Sequence, residues 1–216
     1  MIFQNIVQLA KIQFPKLEIK YKDESLFMKI LGKLLFFNKT FMTNYTTTIG
    51  STVYFPTKSF VESRETSATV ILLHELVHVN DASKITAPLF SLLYLCPQIL
   101  TLLFFPLLFI SWKIAILAVF FATPLPAYFR MHFEKRAYMT SLYSLNALGK
   151  KLNFNPLLDS QKDSFIKQFK TSAYYWMWIF PNINKQFDEA LVKVRNNERP
   201  FQDPIFDVLD KLIANS

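Results

Sequence analysis

A chain of 216 residues with about half of its side chains apolar is long enough to bury the core of one domain. Its net charge of +8 comes from lysines spread along the chain in runs of no more than two, such as Lys150-Lys151, which excludes the clustered basic face of a nucleic-acid groove and leaves weak attraction to anionic lipid. A single cysteine, Cys96, excludes an intrachain disulfide and a cysteine-ligated zinc site.

Met1–Phe14 carries Gln4, Asn5, Gln8 and Lys11 and no small-residue cleavage pattern, so it does not read as a signal peptide. Ser25–Phe37 places Leu26, Ile30, Leu31, Leu34 and Leu35 at helical spacing, with Asp23 or Ser25 as the cap. Thr46–Ile49 and Val53–Phe55 are β-branched and aromatic runs on either side of Gly50-Ser51, which predicts a short hairpin ending at Pro56. An edge of that hairpin offers an extended peptide a place to add itself as a further strand.

Ser67–Ser83 contains neither Pro nor Gly and is rich in Ile, Leu and Val, which predicts a buried helix capped by Ser63, Thr66 or Ser67. It contains His74-Glu75-Leu76-Val77-His78, the H-E-x-x-H pattern. Residues four apart share a helix face, so both imidazoles can reach one metal ion. Glu75, turned about 100° from His74, is offset toward the water to be activated rather than the metal. That chemistry needs a zinc ion to acidify a water and a carboxylate to take its proton. Polar His-Glu-His inside an apolar helix is costly unless something binds it.

From Ile85 to Phe129, 45 residues, Lys113 is the only charged side chain. Leu89–Ile110 is 22 residues, enough to cross a bilayer core of about 30 Å. Pro97 and Pro106 would kink that crossing, and Ser111-Trp112-Lys113 suits an interfacial turn. Ile114–Phe129, with Pro124 and Pro126, fits either a second span or a re-entrant segment. Lys84, Arg130, Lys135 and Arg136 flank the region against Lys113 alone in its loop, which predicts both ends on the cytoplasmic side. Residues 85–129 thus read as a hydrophobic transmembrane hairpin inserted between 1–84 and 130–216.

Arg130–Leu148 and Asp163–Trp176 are the next predicted helices, the latter with Phe165, Phe169, Ala173 and Trp176 on one face. The aromatic run Tyr174–Phe180 reads as core. Asn184–Arg195 and Pro204–Ala214 are predicted closing helices joined by a polar 196–203 loop. The fold class is therefore mainly α with a small β-hairpin.

A catalytic zinc takes three protein ligands and leaves one position open. His74 and His78 supply two, and Glu134 is the expected third, because a hairpin returns its ends to one place and Ala137, one turn on, permits close helix approach. Asp81 and His132 are the alternatives for that position. Tyr138, one turn past Glu134, is a candidate to hydrogen-bond a ligand or the developing oxyanion.

His74, Glu75, His78 and a downstream Glu134 together resemble a gluzincin-type zinc metallopeptidase. The order of motif, hydrophobic hairpin and E-x-x-A is most similar to the HtpX-type and CAAX-prenyl-protease-type membrane peptidases, although Tyr138 stands where that family carries Asp. The resemblance implies a minimal zincin-like core over 1–84 and 130–216. It implies one zinc held by His74, His78 and Glu134, with Glu75 as general base. It also implies a membrane-associated endopeptidase acting on a protein or peptide substrate, its hairpin in the lipid bilayer. The competing expectation is a non-enzymatic membrane or phage-virion component whose zinc site is structural.

Overall fold

The structure, a computed structural model, describes residues 1–36 and 38–216. It is mainly helical with one small sheet, as expected from the sequence. The N-terminal helix α1 (Ile2–Gln13) buries Phe3, Ile6, Val7 and Ala10, the i, i+3, i+4, i+7 stripe of an amphipathic helix. β1 (Glu18–Tyr21) leads to α2 (Leu26–Leu34), where the Ser25 hydroxyl accepts from the Met28 N–H at 3.3 Å and so settles the cap. The expected end of this helix at Phe37 lies outside the described residues. Its apolar stripe turns outward, with Leu26, Ile30 and Leu34 exposed and Met28 the buried contact.

β2 (Thr47–Ile49) and β3 (Thr52–Phe55) form the expected hairpin, Ile49 opposite Thr52. Gly50 takes φ +61° in the two-residue loop, a conformation that needs no Cβ. β1 pairs parallel to β3 on the other side, giving the order β1-β3-β2 and leaving β2 at an edge. This third strand had no sequence signature.

α3 (Lys58–Ser63) is capped by Thr57, whose hydroxyl accepts from the Phe60 N–H. Ser63 therefore ends α3 and does not cap the next helix. α4 (Glu65–Ile85) starts after Arg64 with no side-chain cap, and the Glu65 carboxylate in its first turn accepts from the Phe3 N–H at 3.1 Å. It is buried on nearly every face. Leu72, Leu73, Leu76 and Val77 join α1 and the sheet in one core.

Thr86, at φ +75°, turns the chain back into α5 (Ala87–Leu95). The apolar stretch then departs from the single 22-residue crossing expected of it. It is broken at Pro97 by a bend of 90° and continues as a 3₁₀ turn (Gln98–Leu103), α6 (Phe104–Leu108), α7 (Trp112–Val119) and a second 3₁₀ turn (Phe120–Ala122). Among the described residues no single helix is long and apolar enough to cross a membrane. Proline supplies no N–H and its ring clashes with the preceding turn, so Pro97 divides what hydropathy alone reads as continuous, while Pro106 falls in the first turn of α6. The two limbs pack on each other as a hairpin whose ends meet: the Gln98 amide donates to the Leu125 carbonyl at 3.1 Å.

α8 (Tyr128–Lys151) lies along α4 in the most extensive helix pairing of the molecule. α9 (Leu158–Lys170) starts and ends earlier than the predicted 163–176, and the side chain of Ala173 lies outside the described residues. α10 (Asn182–Arg195) and α11 (Ile205–Asn215) match the expected closing helices. Phe169, Ile183, Phe187 and Leu191 form a second core on the inner face of α8. The aromatic run expected to be core is mostly surface. Met177 is buried, whereas Trp176, Ile179 and Phe180 are exposed beside the root of the apolar hairpin, where the Ala127 N–H donates to the Met177 carbonyl.

Arg136 on α8 ties three elements together. One guanidinium nitrogen sits 2.7 Å from both oxygens of Asp81 on α4, and another 2.5 Å from Asp203, whose second oxygen accepts from the Ile205 N–H at the start of α11. Arg136→Leu leaves the buried Asp81 carboxylate unpaired and is expected to cost about 3 kcal/mol, roughly 6–12 °C in melting temperature. Burial would raise the Asp203 pKa, but the Ile205 N–H and Arg136 outweigh it and hold the carboxyl below its ordinary value. A carboxyl with a depressed folded pKa contributes stability above its ordinary pKa and loses it as pH falls through the folded one. The difference between wild type and Arg136→Leu should therefore narrow below about pH 4, read by urea unfolding across pH.

Candidate metal centre

His74 and His78 lie on the same face of α4 because four residues make just over one helical turn. Glu134, 2% exposed, faces them from α8. Its two oxygens sit 3.5 Å from His74 Nε2 and 3.5 Å from His78 Nε2. That is long for a hydrogen bond. It is close to the ligand–ligand spacing of about 3.3–3.4 Å that tetrahedral bonds of 2.0–2.1 Å produce. One ligand atom from each of the three residues lies within 4.8 Å of the others.

The hydrogen bonding around His74 suits a cation. The Ser141 hydroxyl donates to the Ala137 carbonyl at 3.0 Å, so it is the acceptor for His74 Nδ1 at 3.2 Å. His74 then carries its proton on Nδ1 and presents a lone pair at Nε2. His78 Nε2 and Glu134 Oε2 are buried with no hydrogen-bond partner among the described residues. Orphaned buried acceptors of this kind fit a missing ligand better than a packed apolar core. Burial would raise the Glu134 pKa, but the two imidazoles facing it hold it far below the usual carboxylate range. Burial would likewise lower that of His78, and Glu134 opposite outweighs it and raises it. A buried carboxylate faced by two imidazoles is a donor set that could hold a metal ion.

Glu75 stays outside the three-residue cluster, as its position on the helix requires. Its carboxylate accepts from the Thr48 hydroxyl on edge strand β2 at 2.7 Å. Lys22, fully buried at the end of β1, donates to the Phe41 carbonyl at 2.7 Å. Burial lowers its pKa to about 8, and the Glu75 charge opposes that fall. Neither Thr48 nor Lys22 was legible in the sequence, because the sheet and α4 bring them near Glu75 from distant parts of the chain.

The alternatives for the third ligand are elsewhere. Asp81 is engaged by Arg136, and His132 lies under Tyr128, ring centroids 4.4 Å apart. Tyr138 packs edge-on to His74 at 4.7 Å and against Phe165 at 4.6 Å, with the Tyr174 ring 6.2 Å away. The tyrosine that contacts Glu134 is Tyr94 from α5, its hydroxyl donating to Oε1 at 2.6 Å. A comparison of the chain with family models, curated proteins and solved structures finds no match.

Proposed function

We propose that the chain is a membrane-associated zinc metallopeptidase of the gluzincin type that hydrolyses peptide bonds. The observation that carries the reading is the facing of two imidazole Nε2 atoms on one buried carboxylate at 3.5 Å each, with a second carboxylate, Glu75, beside His74 on the same helix and bonded by Thr48. A zinc ion held there supplies Lewis-acid chemistry, acidifying a water and polarising a carbonyl. His74, His78 and Glu134 hold the ion, and Ser141 orients His74. Glu75 takes the proton of the attacking water and passes it to the leaving amine, while the Thr48 hydroxyl keeps the carboxylate turned toward the sheet edge. β2 lies at that edge, so a substrate added alongside it as a strand would present its backbone beside Glu75.

The apolar hairpin is assigned to lipid. Leu89, Leu92, Leu95, Leu102, Phe105 and Phe109 are all exposed, and so is Trp112 at the start of the returning limb. An eight- or nine-residue helix is only about 14 Å long, under half of a bilayer core of about 30 Å. The bent pair 87–95 and 98–108 together has the length and composition of a broken span or a re-entrant loop, and in that form we assign it to lipid.

The test is incubation of the zinc-loaded protein in vesicles with a library of unstructured peptides. Internal cleavage that a chelator abolishes and added zinc restores is the expected result. The burial of His74, Glu75 and His78, each 5–7% exposed, favours a second reading, a structural zinc in a non-enzymatic membrane or virion component, since structural sites are closed. That reading expects zinc to raise the melting temperature with no cleavage of any peptide.

A further inference from the structure

We infer that Tyr94 is a positioning residue of the metal centre, so that the apolar hairpin forms part of the site and does not serve only as an anchor. The inference rests on the metal-centre reading above.

Glu134 has two oxygens and unequal surroundings. Oε1 accepts the Tyr94 hydroxyl at 2.6 Å, whereas Oε2 has no hydrogen-bond partner among the described residues. A carboxylate with one oxygen tied by a donor offers the other to a cation, which favours single-oxygen ligation and keeps the coordination number low. The placement of Tyr94 is built, not incidental. The Thr86 turn folds α5 back over α4, and the i, i+4 pair Phe90 and Tyr94 faces His78, ring centroids 5.9 Å and 6.2 Å away. The opposite face of α5 is Leu89, Leu92 and Leu95, turned outward.

Arg130 fixes the far end. Its Nε donates to the Tyr94 carbonyl at 2.8 Å, closing the last turn of α5, and its Nη2 donates to Gln98 at 3.2 Å. Gln98 in turn holds the Leu125 carbonyl of the returning limb. A chain of polar contacts therefore runs from Glu134 through Tyr94 and Arg130 to both limbs of a segment that is otherwise apolar. Displacing the hairpin withdraws the donor from Oε1.

The experiment is Tyr94→Phe, which deletes one oxygen and keeps the ring. Zinc affinity is measured against a chromophoric chelator, and the visible spectrum of the cobalt(II)-substituted protein reports ligand geometry. The expected result is a loss of about 10-fold in zinc affinity. The cobalt bands should weaken as Oε1, freed of its donor, becomes a second ligand atom, while the far-ultraviolet dichroism stays that of wild type. A packing role alone would leave the cobalt spectrum unmoved. Wild-type affinity together with a wild-type spectrum in Tyr94→Phe overturns the inference while leaving the metal centre standing. A wild-type protein that binds neither zinc nor cobalt removes the centre itself and this inference with it. Should Tyr94→Phe not fold, Arg130→Met, which keeps an unbranched side chain and has no donor for the Tyr94 carbonyl or Gln98, replaces it, with lowered affinity supporting the link and unchanged affinity refuting it.

Discussion

Glu75→Gln is expected to lower peptide turnover by about 10³-fold while zinc content and melting temperature stay close to wild type. The reasoning is geometric. Glu75 lies outside the three-residue cluster that could hold an ion, so removing its charge leaves those three side chains intact. The amide keeps the shape and still accepts the Thr48 hydroxyl, but it cannot take a proton from the attacking water. Loss of a positioned general base costs about 10²–10⁴ in rate, and 10³ corresponds to about 4 kcal/mol of transition-state stabilisation. The measurement is kcat and KM for a peptide found in the library screen, alongside metal analysis of the same preparation. A variant that cleaves at the wild-type rate refutes the assigned mechanism. A variant that has lost its zinc shows instead that Glu75 is a ligand.

Removal of a ligand should act on a different quantity. His78→Ala and Glu134→Gln are each expected to weaken zinc binding by at least about 10³-fold, since three side chains share a total that reaches roughly 10–16 kcal/mol in structural zinc sites. Stability follows through linkage. Zinc present at about 1,000 times its dissociation constant adds about 4 kcal/mol to the wild-type fold, and a chelator removes it. For a chain of this length the melting temperature should fall by roughly 8–16 °C on chelation. In His78→Ala and Glu134→Gln that response should vanish, because no tight site remains to be emptied. Asp81→Asn, by contrast, should keep the full response, since Asp81 is committed to Arg136 and not to the centre. Titration calorimetry and thermal melting with and without chelator decide both points.

How much of this was legible before folding differs from residue to residue. His74, Glu75 and His78 could be placed because a helix repeats every 3.6 residues whatever surrounds it. Glu134 was reachable by one step of topology, since a hairpin must return. Tyr138 lies one turn beyond Glu134 as expected, and α8 seats its ring between His74 and Phe165, a placement that spacing alone does not set. The tyrosine on Glu134 comes instead from α5, whose seat depends on the Thr86 turn. Hydropathy found the apolar stretch and Pro97 marked its kink, but the 90° size of the bend was not legible, because it depends on how the two limbs pack. β1 was invisible because its partner β3 lies across α2 and the hairpin, and four residues carry too little pattern to announce a parallel pairing.

The amino-acid sequence alone determined the pair of imidazoles a turn apart, the carboxylate beside them, the hairpin at Gly50-Ser51 and the apolar character of 85–129, since each depends on neighbours within a few residues. Only the tertiary structure decided that Glu134 closes the cluster, that Arg136 claims Asp81, that Thr48 holds Glu75 and that Tyr94 reaches the centre. Those contacts join residues far apart in the chain, and their geometry is set by how whole helices rotate and pack, a quantity that no local periodicity encodes.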